Sequence, residues 1–302
     1  MLITILLRQI AIMAILMIVG LYLSRRKYLT SHGTKELGAI LLRLVIPCVI
    51  IKSYITDYSP KRLVQLGLSA GLALMGFIVS MLISYIVFGK RKRLENVAAA
   101  FCNAGFIGIP LTQAVIGEDG VFLVAASVAL LNLFQWTYGV YIMANKKEAI
   151  SFKAIASNPV VIAIIIGVVL YLLQLPVPDI CVRSLEYIAS MNTPVAMILM
   201  GSYLAKIEFR KIFDPRAFSC IMFRLVIIPV VILLLLRILP VHDTDVTMAV
   251  FLAAATPVGA NICIFAQQYD CDEEFSVITV CLSTILSVAT IPVLTMAANM
   301  LL

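Results

Sequence analysis

Two stretches concentrate the polar chemistry of an otherwise apolar chain: Asn103-Ala-Gly-Phe-Ile-Gly-Ile-Pro110 and Thr256-Pro-Val-Gly-Ala-Asn261. Proline removes a backbone donor and clashes with the preceding helical turn, and nearby glycines lower the cost of leaving helical geometry. Both stretches lie inside apolar runs. An unwound backbone there exposes N–H and C=O groups that are costly in hydrocarbon unless they are paired. Such a break survives only inside protein or beside a watery cavity. It then offers helix N-termini, which favour anions, free carbonyls, and the amides of Asn103 and Asn261. One interrupted span reads as a proline kink with glycines for close packing. Two at corresponding positions, each with an asparagine, point to a binding site.

The elements that hold these stretches follow from composition. The chain has 302 residues, of which 62% are hydrophobic and 13% charged, and its mean hydropathy is +1.07. That charged share is about half the usual soluble value. A soluble globule of this size could not hide so much apolar surface, and disordered, collagen-like and disulfide-rich classes are excluded by the same figures. The chain reads as an all-α polytopic membrane protein. A crossing needs about 20 apolar residues, which leaves room for about ten spans and no soluble domain. Apolar runs lie at 2–23, 37–54, 63–88, 97–116, 121–144, 160–175, 185–205, 218–239, 246–268 and 275–302. The first is followed, not preceded, by Arg25-Arg26-Lys27, the reverse of a cleaved signal peptide. The third and last exceed what a crossing needs, so tilt is expected.

Lysine and arginine fall unevenly between the connections. Those after odd-numbered spans hold 15 of them, including the 90–93 cluster; the N-terminus and the even connections hold 6. The positive-inside rule then makes the odd connections cytoplasmic and sets both termini outside, in a cell-membrane protein. Five spans per half is an odd number, so similar halves would insert with opposite topology. The expected organisation is a first inverted repeat at 1–145, a short cytoplasmic linker at 146–157 and a second repeat at 158–302. Leu21-Tyr22-Leu23 and Leu170-Tyr171-Leu172 echo each other, with Pro47 and Pro194 following at similar distances. The interrupted fourth and ninth spans are the stronger sign of the repeat.

The remaining polar residues exclude several classes. The seven cysteines show no CxxC spacing, and His32 and His242 lie far from any cysteine cluster, so neither a metal site nor a cofactor is expected. No HExxH or GxGD motif is present, and neither histidine is placed to activate a nucleophile in the membrane; the chain does not read as an enzyme. No Asp or Glu falls in a span core, Glu95 and Glu118 being at segment ends. Coupling then reads as uniport, as exchange, or as proton movement on the substrate's own carboxylate, and strict sodium dependence is not expected. Arg43 and Arg224 lie inside spans two and eight, where an arginine costs about 2.5–3.5 kcal/mol; both snorkelling and anion contact fit them. Asn132 and Gln135 share a helix face at three-residue spacing. Thr112 and Gln113 follow Pro110 and could satisfy the broken helix's own backbone.

The stretches at 103–110 and 256–261, with Asn158-Pro159 opening span six and Thr193-Pro194 in span seven, resemble the auxin efflux carrier family over essentially the whole chain. That family includes plant PIN auxin exporters and bacterial permeases assigned to malate, malonate and related acids. The resemblance implies ten transmembrane helices in two inverted five-helix repeats, like the bile-acid:sodium symporter fold. Broken spans four and nine would cross at Pro110 and Pro257. It further implies a scaffold of spans one, two, six and seven, able to form a homodimer, beside a moving domain of the other six. The implied ligand is a small organic anion, with membrane lipid around the protein and no role for nucleic acid. The implied substrate residues are Asn103, Gly105, Pro110, Pro257 and Asn261, with Asn132 facing the crossover and Ser53 lining the pocket. The short linker departs from the plant exporters, which removes the expectation of phosphorylation control in that loop and weakens the case for auxin. A membrane-embedded sensor and a sodium-coupled symporter of the bile-acid type are the competing functions.

Overall fold

The computed structural model of the chain describes residues 2–144, 153, 156–205 and 214–302. The expected linker at 146–157 therefore lies mostly outside the described residues, which include 153, 156 and 157 of it. The described elements are helices: α1 Leu2–Arg25, α2 Ser31–Ile40, α3 Ile46–Tyr54, α4 Pro60–Phe88, α5 Arg93–Ala100, α6 Ile109–Ile116, α7 Glu118–Phe134, α8 Val140–Ala144, α9 Pro159–Leu173, α10 Asp179–Ser190, α11 Asn192–Leu204, α12 Pro215–Met222, α13 Ile228–Ile238, α14 Thr244–Ala254, α15 Asn261–Gln268 and α16 Glu273–Leu301. Among the described residues, six continuous helical stretches are long and apolar enough to cross a membrane, and three shorter apolar helices accompany them. Large apolar side chains face outward, such as Ile86 and Ile238. This is the surface of a multi-pass membrane protein, whose lipid-facing side need not be polar.

Helix starts are written in the sequence. Asp214, Asp243 and Asp272 each accept a backbone N–H of the helix they open, and Asn158 does so for α9, with Pro159 in its first turn. Among the described residues, four helical stretches widen into π turns, at Leu41–Val45, Ala104–Gly108, Gln135–Gly139 and Phe223–Ile227. Three of these stand two residues before a proline, namely Pro47, Pro110 and Pro229. The wider turn moves the carbonyls that a proline ring would otherwise strike. Apolar patterning alone gave no sign of these turns, nor of the break at Met191 that divides the expected span 185–205 into α10 and α11.

The helices pack as two groups. In the first, α1 lies along α11, and α3 packs against α9 and α10. The α1–α11 seam brings backbone against backbone. A Cβ on Gly20 would stand 2.2 Å from the Ile198 carbonyl oxygen, and one on Gly201 would stand 2.0 Å from that of Met17. Only glycine fits there, and the short separation lets dispersion act along the whole seam. In the second group, α4 packs against α5, α7 and α14, α7 also packs against α14, and α6, α12, α13 and α16 flank them.

Candidate functional site

The stretch 256–261 is unwound as its proline and glycine predict; the stretch 103–110 is not, since the chain leaves the helix at 101–103 and is helical again from Ala104, with Gly105, Gly108 and Pro110 inside helical turns. The α5 helix ends at Ala100 and helical structure resumes at Ala104; α14 ends at Ala254 and α15 begins at Asn261. The two gaps meet. Cys102 and Val258 form an isolated antiparallel bridge, in which Asn103 N–H donates to the Pro257 carbonyl (2.9 Å) and Gly259 N–H to that of Phe101 (3.0 Å). The Val258 N–H donates to Ser283 Oγ at 3.2 Å. These pairings meet the demand that a break in hydrocarbon satisfy its own backbone groups. Gly259 is the residue that permits so close a crossing, since a Cβ there would lie 2.8 Å from the Cys102 carbonyl oxygen.

On one side of the bridge the two resuming helices present their N-terminal ends to a small cavity. Its polar lining is Asn103, Asn132, Gln135 and Asn261; its apolar wall includes Leu42, Ile46 and Val160. Asn103 is 5% exposed and its Oδ1 accepts the Phe106 N–H, but its Nδ2 has no partner. Asn261 Nδ2 donates to Gln135 Oε1 at 2.8 Å. Asn132 Nδ2 donates to the Val128 carbonyl, while its Oδ1 accepts from Asn158 Nδ2 at 3.4 Å. Among the described residues, no charged side chain lines this cavity. Two helix N-termini carry about half a positive charge each, and the amides add donors, so the site suits an anion. The cavity measures about 20 Å³, the room of one water, so a carboxylic acid enters only when the surrounding helices part.

Of the seven residues expected at the site, Asn103, Gly105, Asn132 and Asn261 line this cavity together. Pro257 contributes a carbonyl to the bridge, and Pro110 is buried in the first turn of α6; neither is among the lining residues. Ser53 is not brought in. It is seven residues beyond Ile46, about 10 Å farther along the same helix face, and its Oγ donates to the Ile50 carbonyl. Gln135 is the residue the expectation omitted, although its three-residue spacing from Asn132 was the available signal.

The opposite side of the bridge is different. Arg224 is 1% exposed, the largest fully buried side chain. Its Nη1 donates to the carbonyls of Ala99 (3.3 Å) and Ala100 (3.5 Å), and its Nη2 donates to that of Ala254. It therefore meets the C-terminal ends of α5 and α14. Neither expected reading describes Arg224, which is buried rather than snorkelling and does not line the asparagine cavity, whereas Arg43 is exposed. A second water-sized cavity lies beside the guanidinium, lined by Ser127, Cys102 and apolar residues of α4 and α14. Cys102 lines both cavities and forms the wall between them.

The sequence matches the family described as membrane transport protein over residues 5–157 and 148–295. It is 27% identical over 208 residues to a protein of Rhizobium meliloti named "Putative malonate transporter", covering 66% of this chain and 64% of that one. An uncharacterized transporter of Methanothermobacter thermautotrophicus is 25% identical over 291 residues, covering 92% of this chain and 93% of its own length. The uncharacterized transporter YfdV of Escherichia coli is 22% identical over 267 residues, 83% of this chain and 84% of YfdV. These matches bear out the resemblance carried by the two motif stretches, and they are to transporters rather than enzymes.

Proposed function

Because this chain belongs to the membrane transport protein family, we propose that it is a secondary carrier for a small organic anion, binding a carboxylate at the asparagine face of the crossover. The observation that carries the reading is the Cys102–Val258 bridge, which fixes two helix N-termini and the unpartnered Asn103 Nδ2 around one uncharged cavity. A carboxylate held there would accept the Asn103 amide, with Asn261 and Gln135 turning from each other toward the ligand. Malonate is the first acid to try, because the Rhizobium meliloti relative is named a malonate transporter.

Alternating access would come from movement between the two helix groups. The group containing α1, α3, α9, α10 and α11 would act as scaffold, its glycine seam resisting deformation. The broken helices travel with the other group. The water-sized cavity fits an occluded state between openings. In this reading the chain makes ten crossings as inverted repeats 1–145 and 158–302, in the plasma membrane, with both termini outside and lipid around it. A homodimer through the scaffold helices fits the same arrangement. The 15-to-6 division of basic residues supports that orientation.

Counterflow of labelled malonate and malate in proteoliposomes tests the function. Saturable flux, accelerated by unlabelled acid on the far side, is expected. Binding without flux would mean a sensor, and flux far beyond carrier turnover would mean a channel. Arg91→Cys on a cysteine-free background tests the orientation, and labelling by an impermeant reagent from outside intact cells would overturn it.

A further inference from the structure

The arginine face holds a group that anion binding does not use. The geometry points to Arg224 as a resident cation: its guanidinium occupies the place where a carrier with two crossed broken helices could bind a coupling cation, and so removes the need for one there. The inference deepens the carrier reading and rests on it for its transport consequence, though not for its structural one.

Unwound carbonyls and half-helix C-termini are where membrane carriers coordinate sodium or protons. Here those ends belong to α5 and α14, and three of their carbonyl oxygens, of Ala99, Ala100 and Ala254, are taken by one guanidinium. Each helix C-terminus carries about half a negative charge, so the two together balance about one positive charge. Arg224 supplies it. Among the described residues no Asp or Glu lines its cavity, so the helix ends are what compensate the charge. An arginine buried without a carboxylate is costly, and this one sits where the backbone repays that cost. The planar, permanently charged guanidinium also spans two termini at once, which a compact monovalent ion must do by drawing them together.

Arg224 Nε and Ser127 stand outside the capping set. Arg224 Nε and Ser127 Oγ are both buried, both without a hydrogen-bond partner, and both at the second cavity. Neither is needed to cap the helices. The three carbonyl bonds come from the two Nη groups, so capping fixes the guanidinium whatever the Nε meets.

The test compares Arg224→Lys with Arg224→Gln, both polar and near in size, and adds Arg224→Ala. Melting temperatures of the purified proteins are measured in choline, sodium and low-millimolar guanidinium chloride, alongside proteoliposome flux. Expected is a melting order of wild type above Lys above Gln, with Arg224→Ala lowest and raised specifically by guanidinium or sodium. The wild type should respond to neither cation, and its flux should persist in choline. A Gln variant as stable as the Lys variant would overturn the inference, since packing or neutral hydrogen bonds would then suffice. So would an Ala variant, folded but depressed, that no cation restores, or wild-type flux abolished in choline. Absence of flux under every condition, with the melting order intact, would instead count against the carrier reading and leave Arg224's role standing.

Discussion

The two faces of the crossover are built from the same parts and finished differently. On one face two helix N-termini converge among Asn103, Asn132, Gln135 and Asn261, with no charged side chain. On the other, two C-termini converge on Arg224, which donates to three of their carbonyls. Both faces enclose water-sized cavities, and Cys102 separates them. The arginine face is balanced by the chain itself. The asparagine face keeps about one unit of uncompensated positive potential, from two half-charges. A face completed by the protein is structural, and one left incomplete is open to a ligand of the opposite sign.

The largest expected effect comes from making the second face self-sufficient. Asn103→Asp places a carboxylate at the converging N-termini, where it should stand in for the ligand. Binding of added carboxylate, followed by calorimetry, should fall below detection, and the acid-induced rise in melting temperature should vanish. Retained binding would mean that the uncompensated potential is not what holds the anion. Next in size is an effect that leaves both faces alone. Gly201→Ala forces a methyl group against the Met17 carbonyl and should cost about 1–3 kcal/mol, read as a lower melting temperature with unchanged affinity. A change in affinity as large as the change in stability would show that the seam and the crossover are not separable. The smallest is Ser127→Ala, which removes a buried hydroxyl with no hydrogen-bond partner. Its stability change should stay within about 1 kcal/mol, and ligand affinity should not move. A larger loss would assign Ser127 a partner in holding the guanidinium.

Much of the asparagine face was legible in the sequence, and little of the arginine face was. Pro257 and Gly259 sit within the break at 255–260, which follows from local chemistry, whereas the break at 101–103 precedes the glycines and Pro110 of its motif and was located only to within a turn or two. Arg224 carries no such mark. Its depth in a span says that it is costly, but not which way it faces, and the convergence of α5 and α14 on it exists only in three dimensions. The π turns were hidden for a related reason. They conserve the apolar stripe while shifting its phase, which a periodicity reading absorbs as scatter. Ser53 shows the opposite error: residue type and helix face were both suitable, but about 10 Å along α3 separates it from the cavity. Gln135 was visible beside Asn132, and what the sequence lacked was the partner, Asn261, that lies 126 residues away.

The central claim is that the crossover amides hold the anion, and titration of a small carboxylate, malonate first, into purified Asn103→Ala and Asn261→Ala tests it most directly. A hydrogen bond to a charged group contributes about 1.5–3 kcal/mol, so each variant should bind about 10- to 100-fold more weakly than the wild type. Without ligand, Asn103→Ala loses the cap that its Oδ1 gives the Phe106 N–H and should be destabilised by about 0.5–2 kcal/mol, and Asn261→Ala leaves Gln135 Oε1 without its donor, so affinities are compared below either melting temperature. Wild-type affinity in both variants would contradict the account.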